Sequence, residues 1–280
     1  MKKLSIICAT ALVLATSSCT KTQESIESGE LVKVTFNVSA FDVNVEPMTK
    51  TSVNASDGLT KLDYLIVSSG KSINGTQTIS ANPDEFGTIE LWLSPGTYTA
   101  YFAGYAGDGV LRDAGNKEYR IQTTNAETFY FKNTLTISAS ENTYNIQLER
   151  LSGKLVIDIT DENVPNDIKG VKVSFAPVDI YQVKDELTIT STAITNDINV
   201  ANGVFPEYGY FMFATQRAED LLFQLIASDN SVLGECYVQY NIYKNKKTIV
   251  RGNILDIITQ KGLSITYNDE WGTDVVVPIK

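Results

Sequence analysis

Five adjacent acidic pairs, Asp84-Glu85, Asp161-Glu162, Asp185-Glu186, Glu219-Asp220 and Asp269-Glu270, are the obvious candidates for acid or base chemistry. Glycoside hydrolysis needs two carboxylates facing each other across a cleft, whereas neighbours on a strand point to opposite faces of the sheet. Nearly all of these pairs fall among turn residues, so they read as solvated loop charge. The chain contains no histidine, which excludes His-based proton transfer, Ser-His-Asp and Cys-His nucleophiles, and the commonest transition-metal ligand. Asp108 and Asp113 carry oxygens suited to calcium, but their spacing matches no EF-hand loop. Gly104, Gly107 and Gly109 follow an apolar strand without the Gly-Lys-Ser/Thr ending of a phosphate loop, so they read as turn glycines. The expectation is a protein that is not an enzyme, with no catalytic residue, no metal and no cofactor.

The three cysteines carry the remaining reactive chemistry. Lys2 and Lys3, an apolar run from Leu4 to Ala15 and the small residues Thr16, Ser17 and Ser18 form a signal peptide over residues 1–18. Its apolar run is too short for a membrane-spanning helix, which needs roughly 20 residues. Small residues ahead of Cys19 resemble a bacterial lipobox, in which the thiol is acylated and becomes the new N-terminus. Each buried acyl methylene contributes about 0.8 kcal/mol, so several chains on Cys19 would hold a folded domain at a membrane. Cys8 leaves with the signal, and Cys236 is then left alone in a strand-like run, where it reads as a small buried hydrophobe. Residues 19–30 have the Thr, Ser, Gln and Glu content of a flexible tether.

Around these residues, 280 positions with 43% hydrophobic and 20% charged residues are enough to build two folded units. A net charge of −10, or −12 once the signal is removed, argues against nucleic acid as a partner. From Leu31 onward the pattern has period two: Val32, Val34, Phe36 and Val38 face one way, and Lys33, Thr35, Asn37 and Ser39 the other. The alternation recurs at residues 62–67, 89–93, 97–105, 144–148, 155–159, 171–175, 221–227 and 236–242, punctuated by turn signals such as Ser94-Pro95-Gly96 and Val164-Pro165-Asn166. Helical period is hinted at only in 125–131 and 216–222. The predicted fold class is mostly β, built of antiparallel sandwiches. Glu149-Arg150-Leu151-Ser152-Gly153 interrupts the alternation, which places one sandwich over 31–149 and another over 150–280. Trp92, Tyr98, Tyr101, Phe102 and Tyr105 form an aromatic cluster that suits cross-strand packing or, alternatively, sugar stacking.

The order of these segments resembles the fimbrillin superfamily of Bacteroidales, which covers fimbrial subunits with their anchor and tip proteins. The resemblance is carried by the lipobox Cys19, the first strand followed by Met48-Thr49-Lys50-Thr51-Ser52, and the run from Leu59-Thr60-Lys61 through Val67. Ile89-Glu90-Leu91-Trp92-Leu93-Ser94-Pro95-Gly96-Thr97-Tyr98 and Leu148-Glu149-Arg150-Leu151-Ser152-Gly153-Lys154-Leu155 continue it. Val250-Arg251-Gly252-Asn253 and Trp271 close it. The resemblance implies two tandem transthyretin-like (Greek-key) β-sandwich domains. It also implies a lipid-tethered protein of the outer membrane or cell surface whose partners are other fimbrial subunits.

In that family an Arg- or Lys-specific protease removes the first strand, and a C-terminal strand of the next subunit fills the emptied groove. By resemblance Lys50 and Thr51 flank the processing site, and the exchangeable strand presents Val32, Val34, Phe36 and Val38. Their burial gives a gross stabilisation of roughly 6 to 12 kcal/mol, an upper bound. The candidate donor presents Leu263, Ile265 and Tyr267, then Val275, Val277 and Ile279, on alternating positions. Two alternatives stay open: the C-terminal strands complete their own sandwich with Lys50 a solvated lysine, or the chain is an anchor that keeps its first strand. A different reading of the whole chain is a cell-surface lipoprotein that binds a host or other glycan.

Overall fold

The computed structural model describes residues 30–41, 52–54, 58–69, 71–81, 83–115, 117–140, 142–255, 264–268 and 275–277. Among these residues the fold is built of strands, joined by turns and one 3-10 turn at Pro83–Glu85. The first half comprises β1 (Val32–Phe41), β2 (Ser52–Asn54), β3 (Lys61–Ser68), β4 (Lys71–Thr78), β5 (Thr88–Leu93), β6 (Gly96–Ala106), β7 (Gly109–Asp113), β8 (Tyr119–Thr123), β9 (Glu127–Ile137) and β10 (Asn142–Arg150). The second comprises β11 (Gly153–Ile159), β12 (Ile168–Phe175), β13 (Val178–Gln182), β14 (Leu187–Thr190), β15 (Ile194–Asn199), β16 (Tyr208–Met212), β17 (Glu219–Ala227), β18 (Val232–Tyr240), β19 (Lys247–Gly252), β20 (Ser264–Asn268) and β21 (Val275–Val277).

The halves repeat one topology that their sequences do not display. In the first, β5, β1 and β10 form one layer and β4, β3, β6 and β9 the other. In the second, β16, β11 and β19 face β15, β12, β17 and β18 in the same order. Each pair of layers closes on its own apolar cluster, one drawn from residues between Val34 and Leu148, the other from Leu155 to Ile254. The pairing is not antiparallel throughout: β1 runs parallel to β10, and β11 runs parallel to β19. In the first half the first and last strands lie side by side in the same direction, as β11 and β19 do in the second, which a hairpin could not achieve and a long excursion between them can.

Each half carries one extra hairpin, and the two hairpins meet. β7–β8 of the first half and β13–β14 of the second join through β8 and β13 into a single sheet. This sheet covers the outer face of β3 and β6, and Leu65, Tyr101, Ala103, Tyr105, Val183 and Phe213 are buried between them. Strand β6 is therefore covered on both sides: Tyr98, Ala100 and Phe102 enter the first core, while Tyr101, Ala103 and Tyr105 enter the seam. The same two-sided burial explains why 125–131 showed no strand alternation. These residues lead into β9, where Thr128 and Phe129 are both buried, so the helical expectation there is incorrect. It is likewise incorrect at 216–222, which enters β17.

Several polar residues hold the hairpins and junctions. Asp63, almost fully buried, accepts hydrogen bonds from Thr76 Oγ1 (2.6 Å) and the Leu111 backbone N–H (2.8 Å), pinning β7 to β3. Between the halves, Arg150 pairs with Glu127, donates to Asn245 Oδ1 (3.0 Å) and lies over the Phe129 ring. Ser152 Oγ accepts from the Thr128 N–H (3.0 Å), and a Cβ on Gly153 would sit 2.3 Å from the Tyr243 carbonyl oxygen, so only glycine fits. Within the Leu148 to Leu155 run, Arg150, Ser152 and Gly153 are thus each set by contact. Of the glycines read as turns, only Gly107 is one, with φ of +128°. Gly104 and Gly109 instead lie in β6 and β7, where a Cβ would collide with Leu59 and the Tyr105 ring.

Tyr240 and Tyr130 bury hydroxyls that have no hydrogen-bond partner. Burial, with Glu219 adding to it, pushes the Tyr240 hydroxyl well above the usual tyrosine range. A folded-state value raised above the unfolded one of about 10 means stability is complete below pH ~10 and is lost as pH rises toward the folded value. Tyr240→Phe is expected to leave stability at neutral pH unreduced and to move alkaline unfolding to higher pH, as followed by circular dichroism during a base titration.

Candidate strand-exchange site

Strand β1 lies in the middle of its layer. On one side, residues 34–40 pair in parallel with 142–148 of β10; on the other, residues 32–37 pair antiparallel with 88–93 of β5, and 39–41 with β2. The ladder is continued past β5 by the Val38 N–H, which donates to the Gly87 carbonyl at 2.7 Å. Because side chains alternate across a strand, one face of β1 meets the core and the other meets water. Val34 and Phe36 are 0% exposed and Val38 6%, while Val32 is half-buried at the rim of the same cluster. Phe36 sits 5.4 Å from the Phe102 ring and stacks on Tyr144 at 5.7 Å. On the outer face Lys33 pairs with Glu90 at 2.8 Å and Asn37 donates to Asn145 Oδ1 at 3.3 Å.

The sequence did not reveal what borders this strand. Gln77 fixes the start of β5 with both ends of its amide, accepting from the Gly87 N–H (3.0 Å) and donating to the Thr88 carbonyl (2.8 Å). It stands in a polar strand with no local signal of its role. Without β1, the gap between β5 and β10 would expose the core faces of Ile89, Leu93, Ile146 and Leu148, all buried at present.

The candidate donor positions that are described lie in the second half, on β20 and β21. β20 pairs with β19, setting Ile265 opposite Val250 and Tyr267 opposite Thr248, and β21 pairs with β20, setting Val277 opposite Ile265 and Val275 opposite Tyr267. In this conformation the C-terminal strands extend the sheet of their own half. Asp161, read from sequence as loop charge, is buried. Its carboxylate accepts from the backbone N–H groups of Ile254 (2.6 Å) and Leu255 (3.1 Å) and so holds the chain where it leaves β19. Cys19, Lys50, Thr51, Leu263 and Ile279 lie outside the described residues.

The other sequence candidates separate cleanly. Of the aromatic cluster, Tyr98, Tyr101, Phe102 and Tyr105 are buried, whereas Trp92 is 54% exposed on β5, so no shared aromatic surface exists there. Asp113 accepts from the Gly115 N–H (2.8 Å), and no metal-binding group of three or more His, Cys, Asp or Glu is present among the described residues. Asp185-Glu186 occupies the β13–β14 turn, and Glu219-Asp220 opens β17. Cys236 lies half-buried on β18, and burial pushes its thiol up to about 11.

No protein-family model matches the chain, and no curated protein matches its sequence. Solved structures do share its fold. A candidate adhesin from Bacteroides thetaiotaomicron is 8% identical with a TM-score of 0.56, over 90% of this chain and 99% of that one. A candidate polysaccharide-binding protein from the same species is 9% identical with a TM-score of 0.56, over 87% and 98%. A candidate adhesin from Bacteroides ovatus is 11% identical with a TM-score of 0.53, over 88% and 96%. The likeness is one of fold, and it agrees with the resemblance to the Bacteroidales fimbrillin superfamily carried by the sequence motifs.

Phe36→Ala is expected to cost about 3 to 5 kcal/mol in urea unfolding, the range for emptying a buried aromatic site. Asn37→Ala on the outer face should stay within about 0.5 kcal/mol. In a chain starting at Thr20, Cys236 is the only thiol; at pH 8 it should react with a disulfide reagent far more slowly when folded than in urea, because little thiolate is present.

Proposed function

We propose that this chain is a cell-surface adhesion protein, a fimbrial subunit or anchor that joins its neighbours by β-strand complementation. The observation that carries this reading is the position of β1. It is a central strand with a fully apolar inner face, flanked on both sides by ladders that would remain as a groove if it left. A groove of that kind is the receptor for an added strand, with main-chain hydrogen bonds supplying affinity and the alternate side-chain pockets supplying specificity. The fold shared with candidate adhesins and the order of motifs resembling the fimbrillin superfamily support it.

In this reading Cys19 carries the lipid that tethers the precursor to the outer membrane, and a cut after Lys50 frees the strand bearing Val32, Val34, Phe36 and Val38. Residues 263–279 of a neighbouring copy or of a different subunit then fill the groove. For that they must leave β19, where among the described residues β21 pairs with β20, and β20 with β19 and β21. Such a terminal ladder can peel from its edge without opening the layers on either side. The role is structural rather than catalytic, and the chain has no histidine to suggest otherwise.

Treatment of the purified precursor with a lysine-specific protease should yield cleavage after Lys50 and a ladder of SDS-resistant oligomers. Lys50→Ala should abolish both, and removal of residues 263–280 should abolish the ladder alone. Clean cleavage at Lys50 with the protein remaining monomeric would contradict the subunit role and favour that of anchor.

A further inference from the structure

Strand β1 lies between β5 and β10 over only part of its length. Residues 32–37 pair with β5 and residues 34–40 with β10, so Val34 to Asn37 are held by both. Past Asn37 the β5 ladder ends: the Val38 N–H reaches the Gly87 carbonyl, and residues 39–41 pair with β2 instead. The part of the slot bounded by β5 and β10 therefore takes a short strand with apolar residues inward at the Val34 and Phe36 positions, both 0% exposed, and polar residues outward. The Phe36 position calls for an aromatic ring, because the rings of Phe102 and Tyr144 pack against it.

Strand β20 has a matching sequence. Ser264-Ile265-Thr266-Tyr267-Asn268 aligns with Lys33-Val34-Thr35-Phe36-Asn37: threonine and asparagine are identical at two outward positions, and an aliphatic residue then an aromatic one occupy the inward positions. In sequence Leu263 extends the match to Val32. Ser264 departs from Lys33, but the Lys33–Glu90 pair is more than a third exposed on both sides, so its loss costs little. β12 carries a similar run, Val171-Lys172-Val173-Ser174-Phe175. It is paired along both edges, by β15 and β17, and its apolar residues are buried in the second core, so it is not free to be donated. β21, Val275–Val277, offers no aromatic residue for the Phe36 position.

Packing and charge select one register. Sliding β20 two residues toward the start of the slot would bring Asp269 to the Phe36 position and bury a carboxylate between aromatic rings. Sliding it two residues the other way would put Ile265 in the place of Phe36 and Tyr267 in that of Val38, leaving a void in one site and overfilling the next. A slip of one residue would turn Ser264, Thr266 and Asn268 inward. Resting on the strand-exchange reading, we propose that β20 of a second copy of this chain fills the slot with Ile265 in the place of Val34 and Tyr267 in that of Phe36. Asn268 then stands opposite Asn145, where Asn37 now donates at 3.3 Å. The acidic Asp269 and Glu270 leave the slot where the β5 ladder ends. The chain is its own partner, and β21 takes no part in filling the slot.

Disulfide trapping tests the register and the partner together. Two variants of the chain starting at Thr20, both carrying Cys236→Ser and both nicked between β1 and β2, are mixed under mild oxidation, one with Asn145→Cys and the other with Asn268→Cys. A linked dimer containing one of each is expected, and about tenfold less of it when Thr266→Cys replaces Asn268→Cys. Adding Tyr267→Ala to the Asn268→Cys chain should slow linkage by about tenfold or more, whereas Tyr267→Phe should not slow it. A peptide of residues 30–41 with Asn37→Cys, which restores the original strand, is the control and should link to the Asn145→Cys chain. If the control links and the Asn268→Cys chain does not, or if the Thr266→Cys chain links equally fast, the proposal is overturned while the exchange reading stands. If the control also fails to link, the slot does not reopen, and both are overturned.

Discussion

The first half of this protein depends on one strand being held from both sides. β1 closes the apolar cluster of its sandwich because β10 and β5 are spaced to accept it, one in parallel and one antiparallel. Neither flanking strand pairs with the other, so the layer exists as a sheet only while β1 or an equivalent strand is in place. The same geometry recurs in the second half, where β11 lies between β16 and β19. There the strand is built into the joint: Gly153 packs against the Tyr243 carbonyl, and Asp161 just beyond the strand binds the chain after β19. The repeated topology therefore makes two similar slots, of which the one in the first half holds the strand proposed to exchange.

The two halves are joined by more than the segment that links them in sequence. The seam supplies the further connection. Two hairpins, one from each half, fuse into a sheet over buried tyrosines, and Arg150 ties β9 to the segment before β19. Burial on both faces of β6 makes the seam part of the core rather than a contact between two independent surfaces.

Much of the architecture was legible because half-buried strands alternate. β1, β3, β5, β11, β12 and β17 were each readable from that period, and the apolar face of β1 was read residue by residue. What escaped has physical reasons. β9 is buried on both sides near its start, so its pattern lost the period that marks a strand, and β4, with the sequence KSINGTQT, is a polar edge. Gly104, Asp63 and Asp161 owe their roles to atoms far along the chain, which no local spacing reveals. The slot around β1 is equally non-local: Phe36 meets Tyr144 and Ile89, and parallel pairing over such a separation leaves no turn to read. The seam draws on separate segments of both halves, and only the folded chain brings them together.

The most direct measurement is displacement. A precursor nicked between β1 and β2 and labelled on its N-terminal fragment would be incubated with excess peptide spanning residues 263–280, while fragment release and backbone hydrogen exchange are followed together. The account predicts stoichiometric release of the fragment as the peptide is taken up, with protection retained along β5, β10 and the second half. Loss of the fragment accompanied by exchange throughout the first sandwich, with no peptide retained, would show that the slot cannot accept a replacement and would contradict it.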